Sequence, residues 1–116
     1  MNESLRQKKV ARIVKEILSA QLITLFQDSD SGLVTVTRLE MSKDLKTAHV
    51  HVSVFGDTDE EAVLERLQHL QGSLRKSVAS RSKLKYNPKL IFSLDPLVGH
   101  ESRIDQLLNG ISNDEH

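Results

Sequence analysis

Eleven of the sixteen Lys and Arg residues of this chain stand in two segments that contain no acid. The first holds Arg6, Lys8, Lys9, Arg12 and Lys15; the second holds Arg75, Lys76, Arg81, Lys83, Lys85 and Lys89. From Gly72 onward, in GSLRKSVASRSKLKYNPKLIFSLD, no carboxylate appears before Asp95. Yet sixteen Asp and Glu residues bring the formal net charge to zero, and several of them collect at Asp57, Asp59, Glu60, Glu61 and Glu65. A neutral chain that separates its signs keeps a strong local field. Clustered cations of this kind are the footprint expected for a phosphate backbone. The plainer reading is that cations near a helix C-terminus and anions near an N-terminus complement helix dipoles. The residues alone leave both readings open.

Other chemistry is thinly represented. His49 and His51 share one strand face, a spacing that could chelate a metal, but no third ligand is demanded by position and no metal site is assigned. Asp44, in a turn, and Asp95, at a strand end, are the acids most suggestive of special placement. Asp in a turn commonly accepts from nearby backbone amides, so Asp44 reads as structural. There is no Walker loop, no Gly-x-Ser-x-Gly and no His-Glu-x-x-His, so neither catalysis nor a cofactor is expected. Four aromatics, Phe26, Phe55, Tyr86 and Phe92, are few for a protein that grips single strands by base stacking. The absence of Cys rules out disulfides and thiolate metal sites and fits a reducing compartment such as the cytoplasm. No apolar run is long enough to span a bilayer, and the basic first segment reads as part of the fold rather than as a targeting peptide.

The elements that must position these residues are legible from periodicity. Val10, Ile13, Val14, Ile17, Leu18, Leu22 and Leu25 recur at three- and four-residue steps and predict a helix over 5–26. LVTVTRLEM (33–41) and TAHVHVSVF (47–55) predict two strands joined as a hairpin. The second alternates strictly, with Ala48, Val50, Val52 and Val54 on one face and His49, His51 and Ser53 on the other. Thr58 and Glu61 fit a capping box that starts a further helix. Its apolar stripe continues through Val63, Leu67, Leu70, Leu74 and Val78. Gly72 interrupts it, which predicts a kink or a close backbone approach near Leu70, Gln71 and Gly72. Asn87-Pro88 closes the helical region, and LIFSL (90–94) predicts a third strand. The helical crossover makes the second and third strands parallel.

A chain of 116 residues is one domain's worth. The expectation is therefore a two-layer α+β domain of order α-β-β-α-(kink)-α-β, with a three-stranded mixed sheet and its helices on one face. The domain is expected to occupy 1–95. The remainder, 96–116, reads as a tail with a short helix through Ile104, Leu107, Leu108 and Ile111, then a disordered end.

The segments LEMSKDLKTAHVHVSVF, LRKSV, NPKLIFSLD and RIDQLL, in this order, resemble the ribosome-binding factor A family over about Arg6 to Leu108. The resemblance implies a type II KH-like fold whose two central helices meet at an interrupted kink, usually a small residue, any residue, then Gly. Leu70 holds the small position here, and Lys85 stands where Arg is frequent. It further implies a non-enzymatic assembly factor that binds the immature 30S ribosomal subunit and its 16S rRNA. Such a factor assists late maturation and processing of that RNA, acts in cold adaptation and leaves when GTPase factors act. The implied protein is cytoplasmic, monomeric and free of membrane, and meets the GTPases only indirectly. On this reading the two basic segments face ribosomal RNA. Two other readings stay open: a generic KH-like binder of single-stranded RNA, and a protein-interaction module using the strand edge or the His49/His51 face.

Overall fold

The computed structural model of this chain describes residues 4–27, 33–56, 59–84 and 87–95. Helix α1 spans Leu5–Phe26, strands β1 and β2 span Leu33–Met41 and Thr47–Phe55, helices α2 and α3 span Glu60–His69 and Gln71–Arg81, and β3 spans Lys89–Leu94. The sheet order is β1-β2-β3, antiparallel between the first two and parallel between the last two. This is the predicted mixed sheet, and the helices cover one face of it. Val14, Leu18 and Leu22 of α1, Val63 and Leu67 of α2, and Leu74 and Val78 of α3 are buried against Val34, Val36, Ala48, Val50, Val52, Leu90 and Phe92 of the sheet. Such burial contributes roughly 1.5–3 kcal/mol for each fully covered large aliphatic side chain.

α1 is started by a capping box that the sequence reading passed over. Ser4 Oγ accepts from the Gln7 amide at 3.1 Å, and Gln7 Oε1 accepts from the Ser4 amide at 2.9 Å. Gln7 Nε2 also donates to the Met41 carbonyl at 2.9 Å. The basic first half of α1 is thereby pinned beside the β1–β2 turn. Ser77 Oγ reaches Gln21 at 3.3 Å, while Lys83 and Leu84 lie near Arg6, Lys9 and Ile13, so α3 runs back along α1 in the opposite direction.

Several local expectations are corrected. The N-cap of α2 is Asp59, whose Oδ1 accepts from the Glu61 amide at 3.0 Å, rather than Thr58; Asp outcompetes because its own side chain reaches the second helical amide. The helix break falls at Leu70, inside the stretch where the kink was predicted, with φ −87° and ψ 1°, and its amide is shared between the Arg66 and Leu67 carbonyls. Gly72 is the second residue of α3, and a Cβ there would meet nothing within 4 Å. The close backbone approach expected at Gly72 is therefore not made. Leu70 instead packs half-buried on the core, and Gln71 Oε1 accepts from the Leu90 amide at 3.2 Å, which ties the break to β3. Helix α3 ends at Arg81, earlier than Asn87-Pro88; Ser82 Oγ donates back to the Val78 carbonyl at 2.6 Å and accepts from the Leu84 amide at 3.4 Å. β3 begins one residue earlier than predicted, at Lys89, whose amide donates to the Lys46 carbonyl at 2.8 Å.

The outer sheet face is less uniformly exposed than alternation implied. A bulge places both Thr37 and Arg38 opposite His51. Thr37 Oγ1 then lies 2.5 Å from Asp95 Oδ2, a bridge that crosses over β2. Beside it, Ser53 is buried, with no hydrogen-bond partner for its Oγ among the described residues. The tail at 96–116 lies outside the described residues.

Candidate nucleic-acid interface

The fold gathers basic side chains around the first half of α1, on both of its flanks. On the α3 side, Arg6, Lys9 and Lys83 rim a groove of about 350 Å³ whose remaining lining is Val10, Ile13, Leu45 and Leu84. On the β1 side, Lys8, Arg12, Lys15 and Arg38 line a shallower groove of about 280 Å³ with Ala11, Thr37 and Leu39. The helical repeat explains the split. Lys8, Arg12 and Lys15 follow one another at four- and three-residue steps, while Arg6 and Lys9 are three apart and turned towards the other flank. Within the described residues none of these seven cations is ion-paired. An unpaired cation in a groove keeps its field for a ligand.

The second basic segment behaves differently. Arg75 is half-buried and turned onto the backbone, donating from Nε to the Pro88 carbonyl at 3.1 Å and from Nη2 to the Asn87 carbonyl at 2.9 Å. It holds the chain that leads into β3. Lys76, Arg81 and Lys89 are exposed but line neither groove, and Lys85 lies outside the described residues. Among the described residues of this segment, Lys83 alone joins the cations of α1 in a groove. Arg38, by contrast, belongs to the site although sequence reading passed over it. A signal was present: buried positions in β1 run 34, 36, then 39, 41, a change of parity that requires one extra residue.

The β1–β2 turn closes this end of the molecule. Asp44 Oδ1 accepts from Ser42 Oγ at 2.6 Å and from the Lys46 amide at 3.0 Å. The Ser42 hydroxyl first, then the Lys46 amide, hold its carboxyl below its ordinary value. Leu45 lies in the left-handed region at φ 62°, its amide bonded to the Ser42 carbonyl at 3.0 Å. The acidic cluster is at the other end. Asp59, Glu60 and Glu61 open α2, which begins beyond the far end of β2 from the turn, and Arg66 of α2 stacks on Phe26 at the C-terminal end of α1, 4.8 Å from the ring centroid.

The remaining candidates do not assemble into a centre for chemistry. His51 Nε2 lies 3.2 Å from Glu40 Oε1, and its Nδ1 lies 3.3 Å from Ser93 Oγ, while His49 is exposed. Among the described residues no three His, Asp or Glu side chains group in a way that could hold a metal ion. Nor is any described helix long and apolar enough to cross a membrane. One residue, Leu70, separates α2 from α3, so there is no loop between them of the kind that clamps a nucleic-acid backbone in Gly-x-x-Gly domains.

Comparison with known proteins gives a consistent picture. The family model described as ribosome-binding factor A matches residues 6–108. The chain is 34% identical over 111 residues to ribosome-binding factor A of Geobacter metallireducens, covering 95% of this chain and 94% of that protein. The crystal structure of ribosome-binding factor A from Thermus thermophilus superposes with a TM-score of 0.67 at 26% identity, covering 76% of this chain and 93% of that one. A homology model of the same Thermus factor, fitted into a cryo-electron-microscopy map of a 30S complex, superposes with a TM-score of 0.66 at 25% identity, with the same coverage.

Proposed function

The chain belongs to the ribosome-binding factor A family, and from that premise we propose that it binds the immature 30S ribosomal subunit through its 16S rRNA and assists late maturation of that RNA. It is a binding factor and not an enzyme. The observation that carries the reading is the gathering of seven cations, unpaired among the described residues, around the first half of α1 in a chain of zero net charge. Lysine and arginine in such grooves position a protein on phosphates, while the shape of the folded RNA selects the place.

The effect on RNA comes from binding free energy alone. A protein that prefers one rRNA conformation shifts the population towards it by its differential affinity for the two states, and by no more than that. Stoichiometric binding then favours the conformation that late processing requires. Low temperature slows escape from misfolded RNA states, which gives a role in cold adaptation. The protein acts as a cytoplasmic monomer, and assembly GTPases influence it only through the subunit.

The test is cosedimentation of the purified chain with isolated 30S subunits and with whole ribosomes over a series of salt concentrations. The reading expects one-to-one association with free 30S subunits, little with whole ribosomes, and affinity that falls linearly in log K against log salt. Equal association with both particles, or salt-independent binding, rejects it.

A further inference from the structure

The groove between α1 and the segment after α3 differs in kind from its neighbour across the helix. Its floor is apolar, made by Val10, Ile13, Leu45 and Leu84, and its rim is cationic, made by Arg6, Lys9 and Lys83. At about 350 Å³ it lies within the range of small-ligand sites, roughly 300–1,000 Å³. A surface that only tracks a phosphate backbone has no use for such a floor. The turn adds a second observation. Leu45 adopts φ 62°, a left-handed conformation that is strained for a non-glycine residue, and it is 93% covered at the base of this groove. The Ser42–Asp44–Lys46 hydrogen bonds hold the turn that imposes it. Strain of this sort persists where the surrounding structure fixes it, and here it presents a branched aliphatic side chain to the groove.

We infer that this groove is a nucleotide pocket: it takes one unstacked RNA base on the Val10, Ile13, Leu45 and Leu84 floor, with the flanking phosphates on Arg6, Lys9 and Lys83. The inference rests on the RNA-binding reading above and narrows it. An A-form duplex keeps its bases stacked and paired and offers the groove nothing but phosphate and ribose. A bulged or single-stranded nucleotide offers an apolar face of matching size with negative charge on either side. The pocket therefore selects a place in folded RNA where a base is already turned out, which the shallow groove lined by Lys8, Arg12, Lys15 and Arg38 cannot do.

The test uses the full chain with two probes, a short single-stranded oligouridine and a blunt A-form RNA duplex of equal charge, followed by amide chemical shifts and by affinity at several salt concentrations. The oligouridine is expected to move the amides of Val10, Ile13, Leu45 and Leu84, and the duplex to leave them still. Leu84→Ser is expected to lower oligouridine affinity about tenfold with an unchanged salt slope, because it removes base contact and no phosphate contact. Lys83→Ala is expected to reduce the slope by about 0.7. Thermal unfolding of both variants shows whether they are folded, and if Leu84→Ser is not, Ile13→Thr replaces it. Equal floor shifts with the duplex, or unchanged oligouridine affinity in a folded floor variant, overturn the pocket while leaving 30S cosedimentation intact. A floor variant that loses 30S binding but holds oligouridine like the parent also overturns it and assigns the groove to a protein side chain. Loss of the broader reading is distinguished by the parent chain failing to cosediment with 30S subunits at all.

Discussion

The first half of α1 and the stretch from Arg75 to Lys89 carry similar densities of positive charge in sequence, and the fold treats them in opposite ways. Among the described residues, the cations of α1 have no ion-pair partner along either flank of the helix. Among the described residues of the second stretch, Arg75 is placed on the Asn87 and Pro88 carbonyls, Lys76, Arg81 and Lys89 line neither groove, and Lys83 joins α1. The difference lies in what each element must do. α1 needs one apolar stripe to cover the sheet and has the rest of its circumference for solvent. The residues after α3 must carry the chain down to β3, and with Ser82–Leu84 irregular, side-chain donors are needed to hold the backbone. Charge density along a sequence therefore measures opportunity for binding, and the unpaired state of the side chain measures availability.

That contrast can be broken by exchanging charge on the two elements. Arg12→Glu with Lys15→Glu is expected to lower affinity for isolated 30S subunits by about 100-fold near 0.1 M salt and to flatten the salt slope by about 1.5, as the loss of two phosphate contacts requires. Glu60→Lys with Glu61→Lys, at the other end of the fold, should leave binding nearly unchanged. Quantitative cosedimentation reads both, and equal losses in the two variants dissolve the distinction between the ends.

Arg75→Ala sharpens the contrast from the other side. Removing a charged donor from two carbonyls is expected to cost about 1.5–2 kcal/mol of folding stability by urea unfolding, with the salt slope of 30S binding unchanged. A slope reduced by about 1 without loss of stability makes Arg75 an RNA contact instead.

Acids obey the same division. Thr37→Val removes the hydroxyl that lies 2.5 Å from Asp95 and is expected to lower stability by about 1 kcal/mol in the same urea assay. The smallest effect concerns Asp44. Its carboxyl is held below the ordinary value of 3.8 chiefly by Ser42, so its contribution is present above that pH and is lost as pH falls through the lower folded value. Asp44→Asn should be slightly less stable than the parent near neutral pH, and the two unfolding midpoints should converge as the solution is taken below 3.8. Parallel pH profiles contradict the turn network.

Much of this was legible before the fold was known. The limits of α1, β1 and β2 follow from apolar period, because each element buries one face and repeats it over many residues, and the mixed sheet follows from the helical crossover between β2 and β3. What escaped is decided by single hydrogen bonds rather than by period. The Ser4–Gln7 box, Asp59 in place of Thr58, and the Arg75 contacts each hang on where one side chain reaches. The grouping of Arg6, Lys9 and Lys83 needed the antiparallel return of α3 along α1, which no local pattern carries. Arg38 is the instructive case, since the parity change in β1 was readable and its consequence, a bulge beside a basic helix, was not drawn from it.

The central claim is that the cations flanking the first half of α1 meet ribosomal RNA. Lysine acetylation of the chain, free and bound to isolated 30S subunits, tests it most directly. The account predicts that Lys8, Lys9, Lys15 and Lys83 lose reactivity on binding and regain it when high salt releases the protein. Contradiction would be the same four lysines remaining as reactive on the subunit as in solution.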